Sequence, residues 1–200
     1  GGKPTRRMRV AIVVSETRDR ASRAMAQIAL AGFSTDAMVH LPAIFVPQTA
    51  ACNGTNGHRL AMRNAWRLIA IANQTMCVFE DDVALVPNVT AEMVQDHLDV
   101  HLLRRMDLVF LGSGGPIPFI TNHAQCISPR AAVALLIATE PCLRDPGEGV
   151  DWWIRRMCTS HRIHCAHPPR LTWPPDRGAR RFWGHGFFVQ NRSIRSYLHT

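Results

Sequence analysis

An α/β domain with a mostly parallel sheet is the fold class this sequence predicts, on three observations. Short, continuous β-branched and aromatic runs, at residues 10–14 and 76–79, have the length and pattern of strands buried on both faces. Between such runs lie segments whose apolar residues recur at helical spacing. The two kinds alternate, and β-α-β order implies parallel strands joined by right-handed crossovers. No internal repeat or long linker interrupts the pattern, so 1–200 reads as one domain.

Residues 8–14 read as the first strand, with Val10, Ile12, Val13 and Val14 in one apolar run. A charged turn at 15–20 leads into a helix at 19–31, where Ala21, Met25, Ile28 and Ala29 share a face. Gly32 stands where a left-handed residue would end that helix. Residues 37–41 and 43–46 form a second strand region, 48–57 a loop of small and polar residues, and 58–72 a helix burying Met62, Ala65, Trp66 and Ile69. Asn73 closes it. The next strand, from Met76, runs into Glu80, Asp81 and Asp82. Thr90 is placed to cap a helix reaching Arg105, and 107–111 is a strand ending in a Gly-rich loop at 112–115. A strand at 120–127 precedes Ser128 and Pro129, an N-cap and first-turn pair for a helix at 129–138. Residues 145–149 form a turn, and 150–158 a short helix with Asp151 in its first turn. From His161 onward the chain, rich in Pro, Arg, Trp and His, reads as an irregular wrap or lid over the sheet; residues 1–7 read as a flexible or added start.

Composition narrows the function classes. Hydrophobic residues make up 46% and charged residues 19%, which suits a packed core rather than a disordered chain. The longest apolar run, 131–138, is far too short to span a bilayer. The net charge of +8 comes almost wholly from arginine, Lys3 being the single lysine. Arginine forks suit phosphate and carboxylate, so anionic partners follow: nucleotides, nucleic acid or an anionic membrane face, the last as a peripheral contact. The arginines are scattered without an RNA-binding signature, and a single Tyr argues for a phosphate pocket over a base-stacking platform. Nucleic acid is therefore not the expected partner. Six cysteines form no C-x-x-C pair; Cys77 and Cys126 lie in expected strands and read as buried free thiols. Four N-x-S/T sequons, at Asn53, Asn73, Asn88 and Asn191, admit a secretory lumen, while a cytoplasmic setting is favoured.

The acidic triplet carries the chemistry. Three adjacent carboxylates at a strand end repel one another unless a cation sits there, and in open α/β sheets ligands bind outside the carboxyl ends of the strands. Carboxylate oxygens suit Mg²⁺ or Mn²⁺ bound together with substrate phosphates. A second cluster, Cys158, His161, His164, Cys165 and His167, invites a zinc reading. Its spacings match no zinc-finger pattern, and adjacent His164 and Cys165 on a strand would face opposite ways, so structural zinc is not expected.

Several segments together resemble the family 25 glycosyltransferases, the lipooligosaccharide and procollagen galactosyltransferase group. They are Arg18-Asp19-Arg20 after the first strand, Gly57-His58 with Ala65-Trp66 before Val78-Phe79-Glu80-Asp81-Asp82, Asn122-His123-Ala124-Gln125-Cys126-Ile127-Ser128, Val150-Asp151, and Gln190 with Ser193-Ile194. The similarity runs in order over most of the chain; 173–183 has no counterpart in the family. The resemblance implies a GT-A fold, a Rossmann-like three-layer sandwich, and an inverting, metal-dependent transfer from a nucleoside-diphosphate sugar, UDP-sugar favoured, to a hydroxyl of a glycan, lipooligosaccharide or glycoprotein. By the same resemblance Asp82 and Glu80 hold Mn²⁺ or Mg²⁺, while Asp81, Arg18, Arg20, Gly57 and His58 line the nucleotide-sugar site. Asp151 is the general base, with His123 behind it, and His185 completes the metal shell. Trp152, Trp153, Trp173 and Trp183 read as core packing or sugar-stacking rings. Two rivals remain at the level of sequence. A nucleotidyltransferase would favour a Gly-rich, Lys-bearing phosphate loop after the first strand, which this chain lacks. A basic binding module without catalysis would bind anions with steep salt dependence.

Overall fold

The structure is a computed structural model describing residues 9–44, 54–113, 123–139, 149–168, 182–183 and 185–191. It is an αβα sandwich. The strands β1 (Val10–Ser15), β2 (Met38–Pro42), β3 (Met76–Glu80), β5 (Leu108–Ser113), β6 (Ala124–Ile127) and β7 (Cys165–Ala166) form the central sheet in the order β2-β1-β3-β6-β5-β7. β1 pairs in parallel with β2 and β3, and β5 with β7, while β6 runs antiparallel to both its neighbours. The mostly parallel expectation therefore holds, with β6 the one reversed strand on this path.

Helices α2 (Gly54–Ala72), α4 (Pro129–Ala138) and α5 (Val150–Thr159) cover one face, packing Met62, Trp66, Leu135 and Ile154 onto Ile12, Val14, Val78 and Phe110. On the other face, α1 (Arg18–Leu30) and α3 (Ala91–Leu103) pack Ala24, Ile28, Val94 and Leu98 onto Val13, Phe79 and Leu111. Alternate residues of each strand feed the two cores, as the period of a strand requires. Thr17, Thr90 and Ser128 cap α1, α3 and α4 with side-chain oxygens that accept from Arg20, Met93 and Ala131 N–H groups, and Pro129 opens α4. Gly32 follows α1 at φ +86°, the left-handed conformation expected there.

Several expectations need correction. α2 begins at Gly54, so Gly57 and His58 belong to its first turns rather than to a loop and a helix start. Gly112, expected in a loop, lies within β5. Its α-hydrogen position is so crowded that a Cβ there would stand 2.4 Å from the Phe188 carbonyl oxygen, which explains glycine. The stretch after His161 is not wholly irregular: β7, β8 (Phe182–Trp183), β9 (His185–Gly186) and β10 (Phe188–Asn191) all pair. β9 extends the main sheet beside β5, and β10 joins β4 (Val83–Leu85) and β8 in a small antiparallel sheet. The cysteine reading is also overturned. Cys77 and Cys126, directly opposite on β3 and β6, form a disulfide, and Cys158–Cys165 closes a second across the α5–β7 connection. Those last two sulfurs are bonded to each other and are not thiolate ligands for zinc. Residues 45–46, the turn at 145–148 and Trp173 lie outside the described residues.

Two partly or fully buried titratable groups away from the carboxyl edge make stability depend on pH. Asp107, buried before β5, accepts from the Arg130 guanidinium, the His164 N–H at 2.8 Å and the Ser128 hydroxyl at 3.2 Å. Burial alone would raise its carboxyl; these donors outweigh it and hold the group below the ordinary carboxylate range. Its stabilising contribution is thus full above the unfolded-state value and fades as pH falls through the lower folded value. Asp107→Ala is expected to cost about 2–4 kcal/mol, read as a lower urea midpoint at unchanged m. His97 on α3 acts in the opposite sense. Desolvation against Phe187, aided by the nearby His101, lowers it to about 4. The unfolded chain therefore binds the extra proton as pH drops from about 6.5 towards 4, and stability declines over that window. After allowance for its partial exposure, His97→Leu is expected to remove about 1–2 kcal/mol of that acid sensitivity in paired melts across the window.

Candidate functional site

The chain passes from β1 to β2 through α1 on one face, then crosses to β3 through α2 on the other. The direction of winding thus reverses between β1 and β3, which opens a crevice at their carboxyl ends. Ser15 ends β1 and Glu80 ends β3, and the turn Asp81–Asp82 carries the chain from the main sheet into β4. All three acids are about 1% exposed. The expected acidic strand end is therefore a desolvated cluster at the switch point, not a solvated turn.

Asp81 is held on both oxygens. Oδ2 lies 2.8 Å from the Ser15 hydroxyl, and Oδ1 accepts from Arg20 Nη2 at 2.9 Å. Arg20, itself buried, also reaches Glu16 Oε2 at 3.5 Å. Burial pushes the Asp81 carboxyl up; the Ser15 hydroxyl and the Arg20 charge oppose the rise, and the adjacent Glu80 charge adds to it. Burial likewise raises Glu16, against the pull of Arg20 and with a further push from Asp81. The raised Asp81 and Glu16 carboxyls record first the burial of this cluster and then the neighbouring negative charge. Arg18, by contrast, stands exposed in the first turn of α1. Of the two arginines expected to meet a nucleotide, Arg20 is engaged with Asp81, and Arg18 faces solvent.

Topology brings the other expected residues to the same edge. α2 runs from the carboxyl edge back to the start of β3, so buried Gly57 and Arg59 lie near the switch point. α5 feeds β7, which parallels β5, so Asp151 in its first turn also lies at the carboxyl edge, half-buried, where the helix dipole favours an ionised carboxylate. His123 immediately precedes the reversed β6 and is buried there. Its carbonyl accepts from Glu80 N–H at 3.0 Å, and its Nε2 lies 3.3 Å from the Phe188 carbonyl. His185 pairs through its backbone with Ser113, again at this edge; the side chains of His58 and His185 lie outside the described residues.

Two contributors were not singled out in the sequence. Ser15 locks Asp81, and its signal was present: it is the first polar residue after an apolar strand, as Glu80 is on β3. Gln125 is fully buried on β6 opposite Val78, one step along from Glu80 on the face covered by α2, and among the described residues neither amide atom has a hydrogen-bond partner. Among the described residues no group of three or more His, Cys, Asp or Glu side chains converges as a complete metal cage.

No protein-family model matches this chain, and no curated protein matches its sequence. Solved structures do. A crystal structure of a glycosyltransferase involved in glycosylation of the major capsid of PBCV-1 superposes with a TM-score of 0.51 at 9% identity, covering 94% of this chain and 96% of that one. The chain shares the α/β sandwich fold of that structure. A looser likeness, TM-score 0.45 at 9% identity over 96% of this chain and 73% of the other, is to a Drosophila β-1,4-galactosyltransferase 7 mutant in complex with manganese, UDP-Gal and xylobiose. At such identities the likeness concerns fold alone, and family 25 is not singled out by it.

Proposed function

We propose that this protein is a glycosyltransferase that moves a sugar from a nucleoside-diphosphate sugar to a hydroxyl of a glycan or glycoprotein acceptor, with inversion. The observation that carries the reading is the desolvated Glu80–Asp81–Asp82 cluster at the β1/β3 switch point of an α/β sandwich fold shared with a glycosyltransferase. The resemblance to family 25 in sequence supports the same reading.

The residues fit a divalent cation of the Mn²⁺ or Mg²⁺ type. Such ions are commonly held by one or two carboxylates together with substrate phosphates, so a complete protein cage is not required. Glu80 and Asp82 supply hard oxygen donors, while Asp81 is engaged with Ser15 and Arg20 and fixes the turn that presents them. When bound, the cation neutralises charge gathering on the departing diphosphate. The acceptor oxygen bonds to the anomeric carbon as the bond from that carbon to the diphosphate oxygen breaks. Asp151 takes the acceptor hydroxyl proton, and the nucleoside diphosphate leaves with the bonding electron pair. The two disulfides, with the sequons, favour an oxidising compartment over the cytoplasm.

Calorimetric titration with UDP, and with GDP beside it, with and without Mn²⁺, tests the donor site. Metal-dependent binding of one nucleotide is expected. No binding of either under any of these conditions would overturn the reading and favour a basic binding module.

A further inference from the structure

The two helical layers of the sandwich differ sharply in charge. α2, α4 and α5 carry six arginines (59, 63, 67, 130, 155 and 156) against one carboxylate, Asp151. α1 and α3 carry three arginines against four carboxylates, Asp19, Glu92, Asp96 and Asp99. The basic layer also leaves aliphatic side chains in water: Ile71 is 82% and Ile137 76% exposed, and Val133 and Leu68 are less so at 46% and 40%. Packing explains their relation. α2 and α4 lie side by side in opposite directions, with the Arg63 guanidinium on the Leu136 and Thr139 carbonyls at the end of α4. Beside them, α5 presents Trp152, exposed, with the Arg156 guanidinium 5.5 Å above its ring. Arg67 is exposed on the same helix as Ile71 and Arg156 on α5, while Arg130, on the helix of Ile137, is exposed but engaged with Asp107.

Exposed apolar residues alone do not mark this layer, because Leu30, Met93 and Val100 protrude from the other. Met93 and Val100, however, stand on α3 among Glu92, Asp96 and Asp99, which an anionic surface would repel, and Leu30 ends α1 with no basic residue in its last turn. Among the described residues, only the α2/α4/α5 layer combines aliphatic tips, an exposed tryptophan and exposed arginines with a single helical acid. That is the composition of a surface lying in a membrane interface: apolar tips enter the acyl boundary, arginines meet phosphate, and tryptophan sits at headgroup depth. Nucleic acid would use the arginines but has no use for the isoleucine tips.

We propose that the α2/α4/α5 layer is a docking face for an anionic phospholipid surface, held peripherally, since no helix among the described residues is long and apolar enough to cross a membrane. This stands independently of the transferase reading.

Cosedimentation of the intact chain with vesicles of equimolar phosphatidylcholine and phosphatidylglycerol tests it. Binding at least about tenfold above that to phosphatidylcholine alone is expected, falling as salt is raised. Ile71→Gln with Ile137→Gln should abolish most of that binding, and Arg67→Gln should weaken it about fivefold. The control pair Leu30→Gln with Val100→Gln should leave it unchanged. Should the isoleucine pair fail to fold, Arg67→Gln decides alone, because Arg67 is exposed and donates to Asn64 Oδ1 of its own helix at 3.0 Å. No preference for anionic vesicles, equal loss in the control pair, or displacement of the protein from vesicles by duplex DNA would overturn the proposal. So would self-association in sedimentation velocity that vanishes with the isoleucine pair, which would assign the face to a second copy.

Discussion

Asp82→Ala is expected to abolish Mn²⁺-dependent nucleotide binding and to lower kcat/KM for transfer by about a thousandfold or more. Two features make this the largest single effect. Asp82 is about 1% exposed, so its charge is displayed in a low-dielectric crevice where a cation gains most from it. And Asp81 cannot substitute for it, being held on both oxygens by Ser15 and Arg20. The same substitution relieves repulsion between adjacent carboxylates, so the metal-free protein should melt within a few degrees of the parent. Isothermal titration, a transfer assay and a thermal melt together decide the matter. Loss of activity accompanied by a large drop in Tm would make the triplet a structural element and remove it from catalysis. Asp81→Asn offers the contrast: its single amide oxygen still accepts from Arg20 while its NH2 donates to the Ser15 hydroxyl, so the turn persists and the loss should be smaller.

Asp151→Asn should separate chemistry from binding. Asparagine keeps the shape but cannot accept the acceptor proton, and general-base loss is expected to cost about 10²- to 10⁴-fold in kcat. Asp151 lies on α5 while the triplet lies on the β3–β4 turn, so the affinity for nucleotide should stay unchanged. The acid limb of the pH–rate profile, which reports the base, should vanish with it. Nucleotide affinity lost in parallel would place Asp151 in the donor site instead. Unchanged activity would pass the role to another group, His123 first.

Local rules carried much of the fold. The caps at Thr90 and Ser128, Pro129 at the start of α4, Gly32 after α1 and the apolar runs of β1 and β3 are decided by residues within a few positions of one another. For that reason the sequence by itself determined the α/β class, most element positions and the acidic end of β3. What the tertiary structure decided involves partners far apart in the chain: Ser15 and Arg20 closing on Asp81 across more than sixty residues, β10 returning to pair with β4, and β6 entering the sheet reversed. The Cys77–Cys126 disulfide depends on that reversed register, which sets the two residues face to face. Periodicity says which face of an element is apolar, but not which strand will lie beside it. That choice, and with it the separation of a basic helical layer from an acidic one, is made only when distant segments compete to bury the same surface.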